Sequence, residues 1–310
     1  MLNVQLGNTS SRISKLSFGG ASLSGEGGGY GFGEVSESQA ERLIKTSIDL
    51  GIKTFDTAPI YGFGLSELRL GKYLPKDGFV ITKGGVDWHE NKRVNMSNHP
   101  EVIKKMLHES LIRLNRETID LYMIHWPDPQ IDIRKPLEVL VKAQAEGKIR
   151  HLGLCNTTPD DLELASQITR IELVQSQFNY FSQNDFKSLR PQLSSKNLSF
   201  MSWGTFDKGI LSGRVQINSK FDSSDARSWA PWWKSQNLKE KLQEVEKLKF
   251  FASSIDLTLS QLALAWQFIY PEISSSLIGW KTIEDLNQSL SDLQKISHSH
   301  IEKIKLFAGN

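Results

Sequence analysis

The chain has 310 residues, 39% hydrophobic and 23% charged, which are the proportions of a globular fold and not of a disordered one. Its 37 basic and 35 acidic residues leave a net charge of +2, so nothing electrostatic points to nucleic acid or an acidic membrane as partner. The single cysteine, Cys155, excludes an intrachain disulfide and suits a reducing compartment. Residues 1–7 show no basic segment followed by an apolar core, and no apolar run is long enough for a bilayer; the expected location is the cytoplasm.

Short apolar, β-branched runs alternate with segments of helical period. Residues 1–14 read as a hairpin turning at Gly7-Asn8-Thr9 and covering one end of the fold. Candidate strands then fall at 15–19, 53–56, 79–82, 119–124, 149–154, 173–177, 198–203 and 275–278. Candidate helices lie at 38–50, 65–73, 100–114, 135–146, 159–166, 184–195, 238–254, 259–270 and 283–296. Ser38-Gln39-Ala40-Glu41 reads as a capping box, and Leu43, Ile44, Ile48 and Leu50 then share one stripe. Gly51 follows as a left-handed cap. Repeated strand–helix units imply parallel strands with right-handed crossovers, and eight of them suggest an α/β fold closed into a (β/α)8 TIM barrel. No Pro- or Ser-rich linker divides the chain, so residues 1–310 read as a single barrel domain.

Two irregular stretches belong to the C-terminal face of that barrel. Residues 24–34 carry Gly25, Gly27, Gly28, Gly29, Gly31 and Gly33 after the first strand. Their spacing is not a dinucleotide fingerprint, and they read as a loop. Residues 206–237 form the loop after strand seven and carry Trp229, Trp232 and Trp233. These rings either stack on a sugar or aromatic substrate or pack the loop on the barrel; the sequence leaves both open. Trp88, Trp126, Trp229 and Trp232 are the candidate substrate-contacting residues. His89, His99, His108, His151, His298 and His300 show no ligand spacing with Cys155, so no metal site is expected. His298 and His300 read as a solvent-facing tail, and the charge-rich 239–249 as an exposed helix face.

The chemistry gathers at strand ends. Phe55-Asp56-Thr57-Ala58-Pro59-Ile60-Tyr61-Gly62 closes the second strand with a carboxylate and a phenol. Phe79-Val80-Ile81-Thr82-Lys83 ends the third with a lysine, and Leu121-Tyr122-Met123-Ile124-His125 ends the fourth with a histidine. In a parallel barrel these ends share one face, the one that carries active sites. Alone, each residue is best read as a strand cap, a solvated terminus or a structural histidine. Together they suit proton transfer to a carbonyl. No side chain gives hydride, so a nicotinamide cofactor must. Tyr61 can supply the proton, Lys83 is expected to lower its pKa, Asp56 to hold Lys83, and His125 to orient the carbonyl oxygen.

At these residues the chain resembles the aldo-keto reductase family over nearly its whole length. The first signature is similar to Gly51-Ile52-Lys53-Thr54-Phe55-Asp56-Thr57-Ala58 with Tyr61-Gly62, Ser66-Glu67 and Leu70-Gly71. The second resembles Ile119-Asp120-Leu121-Tyr122 with His125-Trp126-Pro127, and the third Lys148-Ile149-Arg150-His151-Leu152-Gly153 leading to Asn156. The resemblance implies a (β/α)8 barrel, NAD(P)(H)-dependent oxidoreduction and a catalytic tetrad of Asp56, Tyr61, Lys83 and His125. It implies that Asn156 and Gln177 meet the nicotinamide carboxamide and that Trp203 stacks on the ring. Gly209, Leu211 and Arg214 fall in the pyrophosphate loop, and Gly279, Lys281 and Thr282 in the adenosine segment. Gly204-Thr205-Phe206 departs from the common Ser-Pro-Leu, Asp285 stands where some members carry an arginine, and Gln288 and Ser289 replace Glu-Asn. Lys281 favours NADP(H), with NAD(H) as the alternative. The run from Asp56 to Gly71 also resembles the aldose and galactose dehydrogenase branch, which points to an aldehyde, ketone or sugar as substrate. A second reading is a non-catalytic nicotinamide-binding redox sensor or regulatory subunit, as in channel β-subunits that resemble the family.

Overall fold

Alternation along the apolar runs builds the fold. The structure, a computed structural model, describes residues 3–25 and 30–309. Eight parallel strands close into a barrel: β1 Leu16–Gly19, β2 Thr54–Asp56, β3 Phe79–Gly84, β4 Ile119–Ile124, β5 Ile149–Cys155, β6 Leu173–Gln177, β7 Ser199–Trp203 and β8 Ile273–Ile278. Each strand pairs with its sequence neighbours, and β8 closes on β1 through Ser276↔Leu16 and Ile278↔Phe18. Period two sends Phe79, Ile81 and Lys83 inward on β3 while Val80 and Thr82 face the helices. The interior cluster contains Phe79, Ile81, Leu121, Met123, Cys155, Leu173, Met201 and Leu277. Val80, Tyr122, Val174 and Phe200 belong to the larger core between strands and helices.

The bottom of the barrel is plugged by the N-terminal hairpin. Asn3–Gln5 pairs antiparallel with Arg12–Ser14, and the turn closes through Leu6 N–H to Ser11 O at 3.0 Å. Leu6 and Ile13, both fully buried, complete the interior cluster. Gly7 N–H donates to the Ser199 hydroxyl at 2.8 Å, and Ser14 N–H to the Thr54 hydroxyl at 2.9 Å, so the plug is tied to β7 and β2.

Most helices follow the sequence reading, although Leu259–Trp266 stops short of the expected 270 and a short helix, Pro231–Lys234, stands in the stretch read as a loop. The first helix, Glu37–Asp49, is capped by Ser36 and not by Ser38: Ser36 is extended, its side chain accepts from Gln39 N–H, and Gln39 completes the box. The correction is geometric, since only the residue just outside the helix is free to turn its oxygen onto the first amides. Gly51 does take the left-handed conformation after that helix, at φ +85°. A second hairpin, Val86–Trp88 with Val94–Met96, rises from the loop after β3 and has no counterpart in the sequence reading. His298 faces solvent as expected, but it and His300 do not lie in a tail: they open a C-terminal helix, His298–Phe307, capped by Ser297. Its apolar residues touch the barrel layer through Ile304, which is fully buried. Glu26, Gly27, Gly28 and Gly29 of the glycine-rich stretch lie outside the described residues. No helix among the described residues is long and apolar enough to cross a membrane.

The plug is separable from the opposite face. Leu6→Ala should cost about 2–5 kcal/mol of stability, as burial and cavity terms add, while leaving turnover at saturating substrate nearly unchanged. Chemical denaturation with parallel kinetics tests this; a loss well under ~1 kcal/mol would mean that the hairpin only decorates the barrel.

Candidate active site

Three inward positions at adjacent strand ends converge. Asp56 ends β2, Lys83 lies one residue from the end of β3, and His125 follows β4. Register sets them side by side, with Asp56 opposite Ile81 and Lys83 opposite Met123. Lys83 Nζ donates to both carboxylate oxygens of Asp56, at 2.7 and 2.8 Å, and to Thr57 O at 3.0 Å. The pair is almost dry, with side-chain exposures of 0% and 3%. Burial lifts the Asp56 pKa, and Lys83 and Gln175 pull against that rise. Burial also disfavours the Lys83 ammonium, but Asp56 and its neighbours together hold its pKa above the ordinary value.

Tyr61 comes from the turn after β2, not from a strand. Its ring sits edge-on to the His125 imidazole, centroids 5.9 Å apart, and Lys83 Nζ lies 5.4 Å from the Tyr61 ring centre. The sequence led us to expect a lowered tyrosine pKa; the structure reverses the direction. Burial pushes Tyr61 up to about 12, against the attraction of Lys83 and with help from Asp56 and Cys155. The reason is that desolvation is the largest effect and Asp56 offsets part of the lysine attraction that opposes it. Tyr61 is therefore a neutral phenol at ordinary pH. His125 is neutral as well, held well below its usual range by burial and then by Lys83. Its Nδ1 is buried without a protein partner.

Gln175 was missed in the sequence. It lies inward on β6, and its Nε2 donates to Asp56 Oδ2 at 2.9 Å while its Oε1 accepts from Cys155 Sγ at 3.3 Å. Burial pushes the Cys155 thiol up to about 12, so the group acts as a weak donor. A signal existed: β6 reads Leu-Val-Gln-Ser-Gln, and period two puts 175 on the same face as the expected Gln177.

The expected cofactor residues line one side. Asn156, with φ +52°, follows β5; its Nδ2 donates to His125 O at 3.1 Å, and its Oδ1 accepts from the half-buried Trp203 indole at 3.1 Å. Gln177 ends β6 beneath Gly204, where a Cβ would come within 3.4 Å of its Cγ. The chain then turns through Asp207, Lys208 and Gly209, all at positive φ, with Leu211 buried and Gly213 also left-handed. Arg214 pairs with Asp285 in the first turn of the helix Ile283–Lys295, whose N-cap is Thr282. Gly279 is exposed, and Lys281 Nζ donates to Phe32 O at 2.6 Å. Since β7 and β8 are paired neighbours, these segments form one continuous edge. A flat ring beside Asn156, glycine turns and two cations toward a helix N-terminus fit the parts of a dinucleotide.

The tryptophans differ in how deeply they pack. Tyr30, Tyr61, Phe63 and Trp88 pack on Ala58, Ile60 and Val86, and Trp229 meets Tyr30 at 5.7 Å. Trp126 and Trp229 remain 42% and 38% exposed, which leaves ring surface open at the mouth. Trp232 lies 5.2 Å below the Lys208 ammonium, and Trp233 packs edge-on to Phe221 at 5.2 Å.

Comparison with known proteins gives the family and the fold. The family model described as "Aldo/keto reductase family" matches residues 15–307. An aldo-keto reductase of Schizosaccharomyces pombe, yakc, whose name carries NADP(+), is 27% identical over 287 residues, 88% of this chain and 84% of that protein. The NADH-specific methylglyoxal reductase of Escherichia coli is 26% identical over 310 residues, 94% of each chain. Among solved structures, the glycerol dehydrogenase AKR11B4 from Gluconobacter oxydans superposes with a TM-score of 0.82 at 26% identity, covering 98% of this chain and 94% of that one. A matching family model over almost the full length, on an eight-stranded barrel with these residues at its C-terminal face, places the chain in the aldo/keto reductase family of oxidoreductases.

Proposed function

We propose that one domain spanning residues 1–310 interconverts a small carbonyl compound (an aldehyde, ketone or sugar) and its alcohol with NAD(P)(H), and that Tyr61 is the general acid and base. The observation that carries this reading is the dry Lys83–Asp56 pair set beside a neutral Tyr61 and a neutral His125. A bound dihydronicotinamide supplies the hydride, which no side chain provides. Asn156 and Gln177 would hold its carboxamide, with Trp203 against the ring. Tyr61 gives its proton to the carbonyl oxygen as that oxygen gains charge, and Lys83 steadies the phenolate left behind. Asp56, gripped by Lys83 and Gln175, keeps the ammonium in place. The neutral His125 donates its one ring N–H to the same oxygen and fixes its direction. The exposed rings of Trp126 and Trp229 would receive the rest of the substrate, with Trp88 and Trp232 behind them as the more deeply packed part of the same wall. A cytoplasmic location belongs to the same proposal, supported by the lone buried thiol.

For cofactor choice we infer a preference for NADP(H). Lys281 lies in the adenosine segment, and Arg214 of the neighbouring loop is brought to it by its pairing with Asp285; both cations stand there although Asp225 and Glu284 are also close by. The relatives' names point both ways, to NADP(+) and to NADH.

Three experiments test the proposal. Tyr61→Phe should lower carbonyl reduction by ~10²–10⁴-fold, the usual contribution of general acid catalysis, with cofactor binding intact; near-normal turnover in this variant, or no turnover of any aldehyde by wild type, defeats the assignment. The pH profile follows from the raised phenol: reduction should stay flat through neutrality and fall only toward about 12. Lys83→Met removes the charge that favours phenolate, so alcohol oxidation should need a higher pH than in wild type. Asp56→Asn should move it less, because the lost carboxylate both anchors Lys83 and itself disfavours the phenolate. Superimposable profiles would sink the Lys83 role. For the cofactor, Arg214→Ala should weaken NADP(H) by roughly 10-fold or more, the loss of a charge-assisted bond, and Asp285→Ala should tighten it. Fluorescence titration with both cofactors reads this, and equal changes for NAD(H) and NADP(H) would place the 2′-phosphate elsewhere.

A further inference from the structure

Arg69 plays no part in the chemistry above, yet its surroundings are unusual for an arginine. It lies in the helix Leu65–Tyr73, which follows directly on the Tyr61 turn, and only 6% of its side chain is exposed. Its guanidinium is shared among three acceptors. Nη1 donates to Leu23 O at 2.7 Å, Nη2 to Val35 O at 2.8 Å, and Nε to Glu37 Oε2 at 3.0 Å. Leu23 and Val35 are the two stems of the loop after β1. One planar cation therefore holds both ends of that loop, as only a forked donor can.

What the loop touches gives the clamp its meaning. At its start, Gly20 and Ser24 run against the catalytic turn. A Cβ on Gly62, the neighbour of Tyr61, would come within 2.1 Å of Ser24 O, and a Cβ on Gly20 within 2.5 Å of Asp56 O. Farther on, Tyr30 packs on the same Ala58, Ile60 and Val86 cluster that seats Tyr61 and Trp88, and it meets Trp229. Phe32 bridges Asp225, Gly33 N–H donates to Ser224 O at 3.2 Å, and Ala226 N–H to Gly31 O at 2.9 Å. Lys281 Nζ ends on Phe32 O, and Arg227 lies against the Phe32 ring while it pairs with Asp225. The described residues of this loop, 20–25 and 30–35, are thus the common support of the expected substrate mouth and of the edge expected to hold the dinucleotide.

We propose that Arg69 is a positioning residue: by fixing Leu23 and Val35 it sets the loop after β1, and through that loop both the aromatic mouth and the clasp with residues 224–226 and Lys281. This rests on the active-site reading above for its kinetic consequence, but the clasp itself is testable without turnover. Arg69 contacts none of Asp56, Lys83 and His125, so its loss spares the proton chemistry and weakens ligand retention.

The test is Arg69→Met, with Arg69→Lys as the conservative partner. In Arg69→Met, KM for a turned-over aldehyde and Kd for NADPH and NADH should rise by about tenfold or more, with kcat within about threefold of wild type. The pH profile should keep its shape. Hydrogen exchange at the Gly33 and Ala226 amides should quicken, while the β3 amides of residues 80–83 stay protected. Arg69→Lys, which can keep one carbonyl contact but not both, should fall between. Glu37→Gln leaves both carbonyl anchors and should resemble wild type. A fall in kcat at unchanged KM, or unchanged exchange at Gly33 and Ala226, overturns the proposal. Should Arg69→Met fail to fold, the same readouts on Arg69→Lys decide, and a lysine variant equal to wild type in all of them also overturns it. If wild type turns over no aldehyde, the exchange and Kd arms still read the clamp, so the two failures remain distinct.

Discussion

The dry ion pair between Lys83 and Asp56 is the constraint around which the upper half of the barrel is arranged. Taking two charges out of water is costly, and removing one partner leaves the other buried and alone, at about 3–5 kcal/mol. The fold meets this cost with hydrogen bonds. Lys83 spends its three donors on Asp56 Oδ1, Asp56 Oδ2 and Thr57 O, and Gln175 adds a third contact to the carboxylate. The Gln175 amide is in turn oriented by the Cys155 thiol. Asp56 offsets part of the Lys83 attraction on Tyr61, and the loss of water around the phenol outweighs what remains.

The two lower layers make that arrangement possible. Beneath the pair lies an apolar interior of Phe79, Ile81, Leu121 and Met123, closed at the base by Leu6 and Ile13. It excludes water from below and gives the strand ends a rigid seat. Above the pair, order comes from loops and not from strands. The loop after β1 runs over the Tyr61 turn at distances that only glycine permits at residues 20 and 62. It then joins the loop after β7 across the end of β8. Lys83 and Asp56 are thus placed by barrel strands, and the rim above them by contacts between two non-adjacent loops.

Much of the architecture was legible in period and punctuation. The eight strands and most helices fall where alternation and 3.6-residue stripes put them, because a strand or helix buried on one face must repeat its apolar residues at that face's spacing. The second hairpin at 86–96 was not legible, since Val86–Trp88 and Val94–Met96 are too short and too polar to alternate visibly. The C-terminal helix escaped because its polar opening, His298-Ser299-His300, resembles a tail until Ser297 is seen to cap it. The first helix began two residues from its expected box, since Ser36 and Ser38 offer the same side chain and only the backbone turn chooses between them.

The sequence by itself determined which residues share the inward face at the strand ends. Parity along each strand places Asp56, Lys83 and His125 together once the barrel closes, and this depends only on local geometry. The tertiary structure alone decided the energies and the partners. The direction of the Tyr61 shift depends on how much water three packed layers exclude, a quantity that no spacing encodes. Gln175 becomes a partner of Asp56 only because β6 faces β2 across the interior, 119 residues away in the chain. Lys281, Phe32 and Asp225 meet because two long loops fold over one strand, and Arg69 holds two carbonyls that belong to backbone and leave no mark in side-chain identity.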